Sequence, residues 1–154
     1  APQSTLEALT GSMYLVFTGQ TRSAPQAIAA QIEGTVSGAI SDELEAAYAL
    51  VGRGQALIEA GGPDVVEAFG RLLHEGWMLK RQFSGSVTNE AIDGLYAHGL
   101  ASGAFGGKLC GAGSGGFLLF VVDPARRQEF LAAFEPNSYV KVECDWHGTT
   151  LVSA

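Results

Sequence analysis

Apolar residues recur along this chain with two different periods, and the switches between them divide it into elements. Met13-Tyr-Leu-Val-Phe17 is a β-branched and aromatic run closed by Thr18-Gly19, the pattern of a strand. Ser23 and Gln26 have the spacing of a capping box, with Pro25 in the first turn of the helix that follows and Gly34 and Gly38 interrupting it. Ser41-Asp-Glu starts a second helix, which runs over 41–59 through Leu44, Tyr48 and Leu57. Gly61-Gly-Pro-Asp64 marks a boundary: glycines break the helix, proline restarts the chain, and aspartate suits a new helix N-terminus. A long helix over 64–82 ends at Phe83-Ser-Gly-Ser86, and Thr88, helped by Asn89, caps another over 88–101. Strands over 104–109 and 117–122 flank a glycine-rich loop, and Asp123-Pro124 opens a helix to 134. Tyr139-Val-Lys-Val-Glu-Cys144 alternates as a strand, and Thr149-Thr-Leu-Val152 is placed to pair with it through the turn at 145–148. Strands segregated from helices in this order predict an α+β fold: a mostly antiparallel sheet with helices on one face and no internal repeat.

The helix over 64–82 carries the first candidate chemistry. Val65, Val66, Phe69, Leu72, Leu73 and Trp77 fall on one arc of roughly 140°, with Lys80 near its middle. A lysine there needs an anion or water for its ammonium. Either its stem packs on the core and its head snorkels past the helix end, or it reaches into a substrate cleft. His74 and Arg81 share another face, roughly 20° apart around the wheel. There they either line a cleft or form a solvated surface with Glu67 and Arg71. Trp77 reads as core, and Asp93 as structural. Arg22 stands at a strand-to-helix turn, where a solvated arginine and an anion ligand are the two readings.

Composition narrows the function classes. The 154 residues fit one domain, and 47% hydrophobic against 16% charged residues predicts a globular fold. A formal net charge of -7 with nine basic residues argues against a nucleic-acid surface. No apolar run exceeds six residues, the length of Phe117-Leu-Leu-Phe-Val-Val122, which is far short of a membrane span. Cys110 and Cys144 lack metal-ligand spacing and read as free thiols in a reducing cytoplasm.

The segment Gly106-Gly-Lys-Leu-Cys-Gly-Ala-Gly-Ser-Gly-Gly116 is the most informative in the chain. Six of its eleven residues are glycine. Glycine permits positive φ and close backbone approach to a ligand, and successive N–H groups in such a turn converge on an anion. Lys108 adds a mobile positive charge. The plain alternative is a tight turn between two strands. Gly111-Ala-Gly-Ser-Gly-Gly116 formally fits G-x-G-x-x-G, but it runs into a strand rather than a helix, which excludes the dinucleotide fingerprint. Lys108 precedes most of the glycines and is not followed by Ser or Thr, so a Walker A loop is excluded too.

Gly106-Gly-Lys108-x-x-Gly111-Ala-Gly113-x-Gly115-Gly116-Phe117 resembles the third conserved motif of the GHMP kinases. Leu73-His-Glu-Gly-Trp-Met-Leu-Lys-Arg81, then Ser84, Asn89, Ile92 and Asp93, resembles the sugar 1-kinase branch, its heptose 7-phosphate kinases in particular. Leu15-Val-Phe-Thr-Gly19 with Arg22-Ser-Ala24 resembles the same branch. The resemblance spans residues 5–152. It implies a ferredoxin-like C-terminal domain with extra helices, making up the whole of 1–154. The family's second glycine- and serine-rich motif, which wraps the ATP phosphates, has no counterpart here, and the chain starts at Ala1. The expectation is therefore the C-terminal half of a cytoplasmic kinase, inactive alone, whose ATP and Mg²⁺ are held mainly by its own N-terminal kinase domain.

In that reading Arg22, His74, Lys80 and Lys108 bind the sugar phosphate. Gly106, Gly107, Gly111, Ala112, Gly113, Ser114, Gly115 and Gly116 form the phosphate-facing loop. The catalytic base and metal ligands lie outside the chain. The resemblance implies transfer of the ATP γ-phosphoryl group to the anomeric hydroxyl of a sugar phosphate, with a heptose 7-phosphate as acceptor. Two alternatives stay open: a GHMP kinase of other specificity, acting on another sugar or a mevalonate-type alcohol, and a non-catalytic ligand-binding ferredoxin-like module. A homodimer through an exposed apolar face is a further expectation.

Overall fold

Four strands form one antiparallel sheet in the computed structural model, which describes residues 1–21, 24–145 and 148–149. The elements run α1 (Gln3–Gly11), β1 (Met13–Phe17), α2 (Ala24–Ser37), α3 (Ser41–Ala60), α4 (Val65–Lys80), α5 (Glu90–Ala101), β2 (Ala104–Leu109), β3 (Phe117–Val122), a 3₁₀ turn (Pro124–Arg126), α6 (Arg127–Ala132) and β4 (Tyr139–Lys141). The strand order is β2-β3-β1-β4, the ferredoxin-like arrangement, with α2 to α5 filling the first crossover and α6 the second. β1 pairs with β3 from Met13↔Val121 to Phe17↔Phe117, and with β4 from Tyr14↔Lys141 to Val16↔Tyr139. β2 pairs with β3 across the glycine loop, with a bulge at Phe105.

Alternation along the strands places two clusters on opposite faces of the sheet. Tyr14, Val16, Leu118, Phe120 and Val122 pack with Ile92 and Tyr96 of α5 and Phe130 of α6. Val121 packs with Leu9 of α1 and with Val65 and Val66 of α4, and Met13 and Phe105 border that cluster. Helices therefore cover parts of both faces, where the element order alone suggests one.

Most predicted elements are present, and the departures have local causes. α1 is not predicted by pattern: Pro2 caps it without a side-chain bond, and burial of Thr5 and Leu9 holds it. Gly34 does not break α2, whereas Gly38 ends it with φ of +75°. Asn89, not Thr88, caps α5, its side chain accepting from Ile92 N at 3.0 Å. The Thr88 hydroxyl instead donates to Asp93 at 2.8 Å. Asp93 also pairs with Arg81 at 2.7 Å, which makes it the structural residue expected and takes Arg81 out of a free cationic face. Asp123 caps a 3₁₀ turn, with α6 beginning only at Arg127. Ser23 of the proposed capping box, and the strand at 149–152 apart from Thr149, lie outside the described residues.

Backbone contact between α4 and β2 positions the loop that follows. A Cβ on Gly70 would lie 2.6 Å from Phe105 Cβ, and one on Gly106 would overlap the Gly70 carbonyl. Gly107 is equally closed in by the Leu119 carbonyl of β3. Gly106 and Gly107 are thus buried strand residues whose lack of a side chain seats the helix on the sheet. Gly106→Ala is expected to lower stability by about 2 kcal/mol or more through overpacking against backbone. Gly94→Ala, in a part of α5 where a Cβ meets nothing within 4 Å, is expected to raise it by up to about 1 kcal/mol. Urea denaturation of the two variants reads both signs.

Candidate functional site

The β2–β3 turn, residues 110–116, is tied down on one side and open on the other. Cys110 N–H donates to Phe117 O at 2.8 Å and closes the hairpin. Ser114, with φ of +62° and only 3% exposed, donates its N–H to Val87 O at 2.9 Å and its hydroxyl to Ser86 O. Gly116 N–H donates to Gln20 O at 2.9 Å, and its carbonyl accepts from both the N–H and the hydroxyl of Thr18 at 2.9 Å. A Cβ on Gly113 would lie 2.9 Å from Val87 O, and one on Gly115 2.7 Å from Gln20 O. These two glycines let the turn wedge between the loop after β1 and the loop after α4. Asn89 joins those two loops by donating its side-chain amide to Gln20 Oε1 at 2.9 Å.

The inner side of the turn is unsatisfied. Among the described residues, no hydrogen bond is made by the amides of Gly111, Ala112, Gly113 and Gly115. These residues, with Thr21 and Cys110, line a cavity of about 250 Å³. A larger groove of about 540 Å³ adjoins it, bounded by Gly111, Ala112, Lys80 and by Gln31, Ile32, Thr35 and Val36 of α2. Lys80 also lines a third cavity of about 280 Å³, between α3 and α4, together with Lys108. The groove shares Gly111 and Ala112 with the first cavity and Lys80 with the third.

Lys80 ends α4 and is half-buried. Its ammonium donates to Gly111 O at 2.6 Å. Burial pushes its pKa down, and the positive charge of Lys108 adds to the shift. Arg53, Arg71, Arg81 and Arg126 are each paired with a carboxylate. Neither Lys80 nor Lys108 has an acidic partner among the described residues. The Lys80 ammonium, held on the Gly111 carbonyl and without a carboxylate, stands against a turn with unbonded amides, and that combination suits an oxyanion better than any neutral group.

The other expected residues divide. Arg22 lies outside the described residues. Gly111, Ala112, Gly113, Gly115 and Gly116 line the 250 Å³ cavity, whereas Ser114 is an anchor buried behind it. Gly106 and Gly107 pack against α4 and β3. His74 lines none of the three cavities. Its Nδ1 lies 2.8 Å from Tyr96 OH, the rings stack at 5.9 Å, and the Tyr96 hydroxyl donates to Gly107 O at 3.2 Å. With the tyrosine proton committed to that carbonyl, His74 Nδ1 is the donor of the pair. Burial pushes the Tyr96 pKa up to about 12, so the phenol stays neutral and the chain of bonds braces β2. Trp77 is core, 1% exposed. Sequence reasoning missed Gln20 and Val87, whose carbonyls hold the turn, because a backbone acceptor carries no side-chain signature. Cys110 and Cys144 are free thiols. Among the described residues there is no group of three or more His, Cys, Asp or Glu fit to hold a metal ion, and no helix is long and apolar enough to cross a membrane.

Residues 63–141, about half of the chain, match the family described as GHMP kinases C terminal. Over 141 residues the chain is 33% identical to D-glycero-alpha-D-manno-heptose 7-phosphate kinase of Campylobacter jejuni, covering 90% of this chain and 39% of that protein. The chain thus spans about two fifths of the relative's length. Among solved structures, it superposes on L. major mevalonate kinase in complex with R-mevalonate with a TM-score of 0.67 at 18% identity, covering 82% of this chain and 38% of that one. Methanococcus jannaschii mevalonate kinase gives 0.63 at 19% identity, over 86% and 38%. At these identities the structural likeness establishes the fold alone.

The electrostatic coupling of the two lysines is measurable. Because the folded Lys80 titrates below its unfolded counterpart, the unfolded chain binds more protons between the two pKa values. Lys80 therefore contributes more stability as pH rises through that window, and loses it as pH falls through the folded pKa. Lys108→Met is expected to raise the Lys80 pKa and Lys108→Arg to leave it low, read by NMR titration of the lysine ε-carbons. An unchanged Lys80 titration in Lys108→Met would show that the ammonium groups are not neighbours.

Proposed function

The chain belongs to the GHMP kinase family, and on that premise we propose that it is the C-terminal half of an ATP-dependent sugar kinase. The reaction is transfer of the γ-phosphoryl group to the anomeric hydroxyl of a sugar phosphate, with D-glycero-D-manno-heptose 7-phosphate as acceptor and the 1,7-bisphosphate as product. The observation that carries this reading is the half-anchored turn. Its outer amides are bonded to Val87 O and Gln20 O, four further amides are unbonded among the described residues, and the Lys80 ammonium, which has no carboxylate partner there, holds the turn at Gly111 O. The 33% identity to a heptose 7-phosphate kinase supports the sugar phosphate over a mevalonate-type alcohol.

Phosphoryl transfer passes through a loose transition state with charge spread over the equatorial oxygens, so catalysis rests on positioning and charge stabilisation. The four inner amides donate to a phosphoryl or sugar oxygen from a frame that needs no rearrangement. Lys80 holds the turn through Gly111 O and neutralises substrate charge on its other side; Lys108 adds a second cation. Arg22 completes the set that recognises the sugar's own phosphate. ATP supplies the phosphoryl group and Mg²⁺ offsets its charge. Their principal ligands, and the base that takes the hydroxyl proton, are assigned to an N-terminal kinase domain acting in the cytoplasm. No step in this chain requires a titrating carboxylate.

The test is steady-state kinetics of the complete kinase with a panel of sugar phosphates, the product identified by ³¹P NMR. Turnover of the heptose 7-phosphate to an anomeric phosphate is expected. Lys80→Met is expected to lower kcat/KM for the 7-phosphate by about 100-fold, the scale of losing one charge-stabilising donor. It should cost the unphosphorylated sugar much less. Equal losses for both would remove the 7-phosphate from the account. Tight ATP binding by residues 1–154 alone would contradict the division of the site between two halves.

A further inference from the structure

The cavity between α3 and α4 does not suit a sugar. Its walls are Ala47, Leu50 and Gly54 of α3 and Phe69, Leu72 and Trp77 of α4, all without a polar side-chain atom except the indole nitrogen. A buried sugar hydroxyl facing such walls loses its water and gains no partner. The cavity nonetheless has a polar end, where Lys80 and Lys108 stand without a carboxylate among the described residues. Its shape is set by two small residues. A Cβ on Gly54 would lie 3.2 Å from Leu72 Cδ2, and one on Gly76 3.4 Å from Leu50 Cδ1. Leucine side chains of the facing helix thus pack closely against those two glycines. A cavity of about 150 Å³ is enough to hold a benzene ring. At about 280 Å³, this one has room for a body of two fused rings or a short branched chain.

We propose that the α3–α4 cavity is a binding site for a small anion with an apolar body, a phosphate monoester or carboxylate, seated with its head group between Lys80 and Lys108. An apolar body removes the remaining accessible surface of the half-buried Leu50, Phe69 and Leu72 from water, and the head group supplies the counter-charge that both lysines lack. The burial that disfavours the Lys80 ammonium is then compensated locally. Occupancy also has a consequence for the turn. Among the described residues Lys80 is the one side chain shared by this cavity and the groove over Gly111, and its ammonium holds Gly111 O. A head group that draws Lys80 toward α3 competes for the donor that positions the turn, so the ligand acts as an inhibitor. This regulatory consequence rests on the kinase reading above; the binding itself does not.

The experiment uses 1-naphthyl phosphate as the probe, with 1-naphthol and inorganic phosphate as its two halves, in isothermal titration of the 154-residue chain. The naphthyl phosphate is expected to bind at least about tenfold more tightly than either half, the signature of one site using both features. Ala47→Phe fills the cavity from its half-buried wall without touching either lysine, and should abolish that gain while the circular dichroism and melting of the chain stay unchanged. Lys108→Met should reduce naphthyl phosphate to the affinity of 1-naphthol. Equal affinities for naphthyl phosphate and inorganic phosphate, or undiminished binding to folded Ala47→Phe, would overturn the proposal. In the complete kinase, naphthyl phosphate should inhibit the native enzyme and not Ala47→Phe. A complete protein without sugar kinase activity that still binds the probe in this way would reject the kinase reading and leave the site standing.

Discussion

The glycine turn works only because backbone can lie directly against backbone. Gly113 is pressed onto the carbonyl of Val87 and Gly115 onto that of Gln20, at separations no β-carbon tolerates. Those two carbonyls belong to segments far apart in sequence, one following β1 and one preceding α5, and Asn89 links them. A turn so rich in glycine would otherwise be among the loosest parts of the chain, because glycine loses the most conformational freedom on ordering. Wedged from both sides, it holds one set of amides in bonds and leaves the other set pointing to no protein acceptor. The same principle operates one layer down, where Gly70 and Gly106 seat α4 on β2 and so fix where Lys80 emerges.

Charge completes what the backbone begins. The chain is acidic, with a net charge of -7, yet Lys80 and Lys108 have no carboxylate partner among the described residues. Beside a second positive charge, the half-buried Lys80 ammonium is harder to keep charged. A site arranged in this way gains most when a compact anion enters, since the anion relieves both desolvation and mutual repulsion. The aligned apolar cavity between α3 and α4 extends that gain to anions carrying a hydrophobic body. The exposed surface elsewhere pairs its arginines with carboxylates at short range, for which solvent screening leaves little net stabilisation.

Much of this was legible from residue pattern, for identifiable reasons. β1 and β3 are apolar enough to declare themselves as strands, and α4 shows a clean apolar arc. Lys80 stood out because a charged group in the middle of such an arc demands an explanation, and its bond to Gly111 O is that explanation. The glycine turn was visible from composition alone. What pattern could not show depends on distant partners. Thr88 and Asn89 are both good cap residues, and local chemistry does not choose between them; Asp93 decides by engaging the threonine. His74 shares a helical face with Arg81, but Tyr96 and Asp93 draw the two side chains into separate bonds. α1 has too weak a pattern to stand alone and forms because Leu9 finds Val65 and Val66. The α3–α4 cavity arises from glycines on two helices that meet only in three dimensions.

The central claim is that the turn's unbonded amides, and not its bonded ones, receive an oxyanion. Amide NMR of the ¹⁵N-labelled chain titrated with heptose 7-phosphate, or with inorganic phosphate as its simplest surrogate, measures this residue by residue. The account predicts saturable shifts at Gly111, Ala112, Gly113 and Gly115, with Ser114 and Gly116 nearly still because Val87 O and Gln20 O already hold them. Shifts absent from those four amides, or equal at all six, would contradict it.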